Sequence, residues 1–298
     1  MTATPSESVV NKAIINPMLG IGFMVAAMLI IPVVDGTAKY LSSAHSPLFL
    51  SWARYAFAVL IVLPVAFYKH RSRFLPRSHL GAHFLRTIFL MAAMTCYFVS
   101  ISLIPMATAI SAFFVGPIIA TLLAVFILGE RLTLKKVLAL ILGFSGALLI
   151  VRPDMDFDPA ILLALASGVL FGFYIVATRQ ASQNSDPLKT LAFQCLVGTI
   201  ILTPQAIWFW SWPTYDQLYL FAGMGLFSAF SHFLSIAAFR KAEASILAPL
   251  VYVELIGTAA IGFIIFGEVP GLTVWIGAGV IVAGGLVLIG RTRSENSS

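Results

Sequence analysis

Residues 126 to 150, FILGERLTLKKVLALILGFSGALLI, are echoed at 265 to 289 by IFGEVPGLTVWIGAGVIVAGGLVLI. In each stretch an apolar run ends in Gly-Glu (Gly129-Glu130 and Gly267-Glu268), a short turn follows, and a glycine-bearing apolar run comes next. A glycine that ends one helix and an acid that starts the next explain the pair as helix-end chemistry. The recurrence itself divides the chain into two copies of one unit.

Working outward from the echo, the sequence offers ten apolar runs of the roughly 20 residues that a membrane helix needs. They lie near 18 to 40, 47 to 68, 80 to 101, 105 to 128, 134 to 151, 159 to 179, 188 to 210, 217 to 239, 245 to 266 and 273 to 290. Of the 298 residues, 60% are hydrophobic and 10% charged. Soluble domains carry about 45–50% apolar and about 25% charged residues, so the predicted class is an all-α membrane protein. No loop is long enough for a soluble domain. The first run is longer than the roughly 7 to 15 apolar residues of a secretory signal, and despite the cleavage-like Ser42-Ser43-Ala44 it is expected to be a retained helix.

The net charge of +6 is distributed by topology. Alternate loops hold Lys12; Lys69, Arg71, Arg73 and Arg77; Arg131, Lys135 and Lys136; Arg179 and Lys189; Arg240 and Lys241; Arg291 and Arg293. The opposite loops hold only Arg152, beside Asp154, Asp156 and Asp158. The excess of Lys and Arg on one side predicts that both termini are cytoplasmic, and the bilayer, not nucleic acid, is the expected partner. Two five-span units, 18–152 and 159–290, must then enter the membrane with opposite orientation, because five is odd. Glu130 falls on the cytoplasmic side and Glu268 on the other. Inverted repeats recur in secondary transporters, with the substrate held near the bilayer midplane between them.

Motifs for other chemistries are missing from the sequence. There is no GxxxxGK[ST] for nucleotide hydrolysis and no HExxH for a zinc protease. Cys96 and Cys195 lie inside apolar runs with no CxxC and no His/Cys cluster around them, which suits packing residues. No catalytic residue, cofactor or metal is expected, and a homodimer is left open.

The segments ATAISAFFVGP (107–117), LGERLT (128–133) and LGFSGALLI (142–150) resemble the repeat of the drug/metabolite transporter superfamily, EamA type. That resemblance covers nearly the whole chain and implies a ten-helix inverted 5+5 carrier working by alternating access in a bacterial inner membrane. VDGTAKYL (34–41) and APLVYVEL (248–255) are similar to the S-adenosylmethionine carriers of the superfamily. Riboflavin carriers belong to the same broad subgroup, and other EamA-type proteins export amino acids.

A charge near the centre of a membrane helix costs roughly 2.5–3.5 kcal/mol on insertion scales, so those that persist face a partner or a cavity. Asp35 and Lys39 share a helix face at i and i+4; they form either a structural ion pair or a pair that binds or gates substrate. Pro32 and Gly36 are positioned to bend that helix. Arg54 either snorkels to the interface or takes a substrate carboxylate. Arg86, near the basic 69–77 loop, is expected to snorkel. Glu254 lies mid-span with no Lys or Arg within four residues, and a cation, a proton or another helix must balance it. His232 and Gln194 are polar groups inside spans, with packing hydrogen bonds as the alternative to substrate contact. Tyr97, Phe114, Tyr174 and Tyr252 offer aromatic faces suited to a planar heterocycle. Buried charges of both signs favour a small mixed-charge metabolite over a sugar.

Overall fold

A computed structural model describes residues 16–104, 106–151, 158–183, 185–267 and 272–289, and every regular element among them is helical. The helices are α1 (Pro17–Leu41), α2 (Pro47–His70), α3 (Leu80–Leu103), α4 (Met106–Phe113), α5 (Val115–Leu128), α6 (Leu134–Val151), α7 (Ala160–Ser182), α8 (Pro187–Trp208), α9 (Tyr215–Lys241), α10 (Ala244–Leu247), α11 (Glu254–Phe266) and α12 (Leu272–Ile289). Seven of the described helical segments are long and apolar enough to cross a membrane, and α5 is a shorter apolar helix.

Local chemistry sets several starts. Asn16, Ser46 and Asp186 each accept the backbone N–H of a residue in the first turn and are each followed by proline. A polar N-cap ahead of a proline satisfies one orphan donor and places a residue that has none at the next position. Thr214 and Gln217 form a reciprocal capping box at α9. At the end of α5, Gly129 adopts φ +66°, a left-handed conformation that closes a helix at little cost only for glycine.

Two spans expected to be continuous are broken. The run at 105–128 divides at Phe114 into α4 and α5, and the run at 245–266 passes from α10 through a 3₁₀ segment, Ala248–Val253, into α11. The breaks meet: the Phe114 and Tyr252 rings pack edge to face at 4.9 Å, and the Tyr252 hydroxyl donates to the Phe114 carbonyl at 3.2 Å. A carbonyl freed by interrupting a helix inside the membrane needs a donor, and Tyr252 supplies it.

The packing partners follow a regular scheme. Helix α1 lies against α9 and α11, α7 against α3 and α5, α2 against α8, and α6 against α12. Tight α1–α11 contact depends on two glycines. A Cβ on Gly36 would meet Ile261 Cγ2 at 2.5 Å, and one on Gly257 would meet Pro32 Cγ at 2.6 Å. Small residues at such crossings let membrane helices approach. Gly36 admits a side chain of α11, and α1 is a single helix that contains Pro32.

At the end bearing the basic loops, charged groups join the halves. Glu130 accepts the backbone N–H groups of Ala244 and Ser245 at 2.9 Å each and the Ser245 hydroxyl, with Arg179 Nε 3.9 Å away. Lys136 donates to Glu243 at 2.5 Å, and Arg179 Nη1 to the Phe239 carbonyl at 2.5 Å. Glu130 thus caps a helix start in the other half of the chain, not that of its own neighbour α6. Its counterpart Glu268 lies outside the described residues.

Candidate functional site

The α1–α11 crossing places Asp35 beside Glu254. Both carboxyls line one interior cavity and are close enough to interact directly. Asp35 is 1% exposed, and apart from the facing Glu254 carboxyl its oxygens meet no hydrogen-bonding group of the protein. Asp35 faces across to α11, whereas Lys39, one turn farther along, sets its ammonium 5.6 Å from the centroid of the Phe266 ring. Helix periodicity put the two on one face, but the neighbouring helix decides what each touches.

The rest of the cavity is aromatic and weakly polar. Tyr97, Phe113, Phe171 and Tyr174 form one wall; Ser231, His232 and Ser235 of α9 face it, with Met28, Ile31 and Met94 filling the remainder. The Tyr97 hydroxyl and His232 Nε2 are buried with no hydrogen-bond partner. The open space is about 30 Å³, room for about two waters at roughly 10–15 Å³ each, so the helices are closed around it in this conformation.

Of the sequence candidates, Asp35, Tyr97, Tyr174, His232 and Glu254 line the cavity. Phe114 and Tyr252 do not; they bind the two helix breaks to each other. Arg54 and Gln194 lie outside the lining, with Arg86. Arg86 is 0% exposed, which overturns the expected snorkelling. It donates to Thr178 Oγ1 at 3.1 Å, Tyr174 Oη at 3.3 Å and Gln194 Oε1 at 2.7 Å. The physical reason is the direction of α3, whose packed face turns Arg86 to α7 and α8 instead of the nearby interface. Arg54 is also buried, at 1% exposure, with its guanidinium 5.0 Å from the Tyr55 ring centroid and 5.6 Å from that of Phe98.

The serine face of α9 was not anticipated, yet it has a signal. Ser228, Ser231, His232 and Ser235 recur at the spacing of one helix face, and all four are buried. Serine costs little in a membrane helix, so single residues drew no notice where a charge would have. The cysteines behave as packing groups, and among the described residues no group of three or more His, Cys, Asp or Glu is placed to hold a metal.

Residues 18–152 and 158–290 each match the EamA-like transporter family. The chain belongs to that family. Its EamA relatives include the S-adenosylmethionine uptake transporter of Rickettsia prowazekii (strain Madrid E), 26% identical over 97% of this chain and 98% of that one. The riboflavin transporter of Vibrio cholerae serotype O1 is 24% identical over 90% and 91%. A solved crystal structure with 18% identity and a TM-score of 0.74 shares the fold over 91% of this chain and 94% of its own. The chain is thus a multi-pass EamA membrane protein whose family and named relatives are transporters rather than enzymes, and the interior cavity is lined by residues of both family repeats.

Proposed function

We propose that this protein is a secondary carrier that moves S-adenosylmethionine, or a molecule of the same mixed charge, across a bacterial inner membrane by alternating access. The observation that carries the proposal is the pair Asp35 and Glu254, two acids held together in an aromatic-walled cavity, with no hydrogen-bond donor of the protein on the Asp35 oxygens. Two carboxyls in apolar surroundings are balanced by a proton or by a cation. S-adenosylmethionine brings two cationic centres, a sulfonium and an ammonium, together with an adenine that can stack on Tyr97, Phe113, Phe171 or Tyr174. Riboflavin would use the aromatic wall but carries no positive charge for the acids, so it ranks second.

The carrier is built from two inverted five-helix units with both termini cytoplasmic. Supporting this, the packing partners exchange when the units are interchanged: α1 with α9 and α11 corresponds to α7 with α3 and α5, while α2–α8 and α6–α12 correspond to themselves. The Lys- and Arg-rich loops alternate along the chain as the orientation requires. Opening then alternates between the end joined by Glu130, Arg179, Lys136 and Glu243 and the opposite end.

Counterflow in proteoliposomes tests the function. Vesicles preloaded with unlabelled S-adenosylmethionine are expected to accumulate labelled S-adenosylmethionine transiently and saturably, with riboflavin and methionine competing less well. Uptake that does not saturate, or competition led by riboflavin, would overturn it.

A further inference from the structure

The acids have a basic counterpart deeper in the protein. Arg54 and Arg86 are both fully buried, and among the described residues neither makes a salt bridge, although Arg54 lies within electrostatic reach of Asp35. Arg54 Nε and Nη1 and Arg86 Nη1 have no hydrogen-bond partner, and neither do Gln194 Nε2 and, one turn earlier on α8, Thr190 Oγ1. Buried polar atoms are nearly always satisfied, and a buried guanidinium without an anion is costly. Here every unsatisfied group can donate, and no protein acceptor meets them.

Helix α8 fixes the two guanidinium groups near each other. Arg86 Nη2 is held by Gln194 Oε1 at 2.7 Å. Arg54 Nη2 donates to Tyr55 Oη at 3.2 Å, and the Tyr55 ring packs on Gly198, where a Cβ would meet it at 2.7 Å. Those anchors are four residues apart on α8, about 6 Å along its axis. Cys195, between them in sequence, and His232 both lie within electrostatic reach of both arginines. The cluster adjoins the cavity through Tyr174, which bonds Arg86, and His232, which packs edge to face on Tyr174. Lipid headgroups are shut out by the burial of both side chains.

We propose that Arg54 and Arg86, with Gln194, form an anion subsite that takes the carboxylate of the transported molecule while Asp35 and Glu254 take its cationic end. A planar fork of donors matches a carboxylate, and a site with groups of both signs would favour a molecule that carries both charges, as S-adenosylmethionine does in its carboxylate and its sulfonium. The proposal rests on the carrier function above and names the second half of its site.

The test uses the purified full chain, read by thermal stabilisation and by proteoliposome counterflow, with two matched pairs of probes. S-adenosylmethionine is compared with its decarboxylated form, and methionine with methioninol. Removing the carboxylate is expected to weaken binding roughly tenfold to hundredfold. In Arg54→Gln and Arg86→Gln that difference should shrink towards none, and Arg54→Lys should retain part of it. Should the variants weaken both members of a pair equally, or the wild type bind both equally, the subsite is wrong while the carrier function stands. Failure of S-adenosylmethionine alone would overturn the substrate assignment, and an arginine-dependent preference for methionine over methioninol would still support the subsite. No carboxylate preference in either pair would overturn it. If a glutamine variant does not fold, folded Arg54→Lys decides: a partial loss of the carboxylate preference supports the subsite, and a preference equal to wild type overturns it.

Discussion

The α1–α11 and α5–α7 crossings use glycine to bring two helices together, but they press different atoms into contact. Where α7 crosses α5 and the end of α4 the nearest neighbours are backbone: a Cβ on Gly116 would meet the Gly168 carbonyl oxygen at 2.7 Å, and one on Gly168 would run into the Phe113 carbonyl of α4. At α1–α11 the neighbours are side chains, Ile261 against Gly36 and Pro32 against Gly257. Backbone moves only with its whole helix, whereas at Gly36 a single Ile261 methyl has to yield, at a cost set by the stiffness of a β-branched side chain. One crossing is a rigid seam, and the other, which carries Asp35 and Glu254, has room to adjust. The same packing device thus holds the scaffold in one place and frames the candidate site in the other.

The largest effect on stability should come from breaking the rigid seam. Gly168→Ala is expected to destabilise the purified protein by about 1–3 kcal/mol through overpacking, read as a lower melting temperature and poorer recovery of monodisperse protein. A melting temperature equal to wild type would mean that α7 slides away easily and that the seam is not rigid. Tyr252→Phe, which deprives the Phe114 carbonyl of its donor, should cost about 1 kcal/mol. That variant joins the comparison because Phe114 ends the α4 segment leading into the seam, and Tyr252 leads into α11.

Smaller effects sharpen the contrast from the other side. Gly36→Ala should cost less than Gly168→Ala, under about 1 kcal/mol, because a single methyl rather than backbone has to yield; a loss as large as that of Gly168→Ala would erase the distinction between the crossings. Lys136→Ala removes a pair with a partly exposed Glu243, and partly exposed pairs are worth about 1 kcal/mol or less. Its melting temperature should stay close to wild type.

Much of the fold was legible in the sequence because a bilayer leaves few choices. Long apolar runs, alternating basic loops and the Gly-Glu echo led to a helical membrane protein of two related units. The breaks at Phe114 and in Ala248–Val253 were not legible, because an apolar run reads the same whether or not its helix is continuous; only the contact between Phe114 and Tyr252 reveals why interruption is tolerated. Within the site, Glu254 and Asp35 stood out because a charge in such surroundings is expensive. Their apposition did not, since it depends on which face of α1 meets α11. For Asp35 the sequence offered Lys39 as the nearest partner, and for Arg86 it offered the neighbouring loop. Both readings relied on proximity along the chain, whereas packing sets Glu254 against Asp35 and turns Arg86 inward to α7 and α8.

Counterflow with Glu254→Gln, compared with wild type at equal reconstitution and equal melting temperature, tests most directly whether the paired acids receive the cationic end of the cargo. The substitution keeps the shape of the side chain and removes its charge, and the loss of a charge-assisted contact is worth about 1.5–3 kcal/mol. Transport of S-adenosylmethionine is expected to fall about tenfold or more while the protein remains folded. Undiminished transport by a folded Glu254→Gln protein would contradict the assignment and remove the α1–α11 crossing from the site.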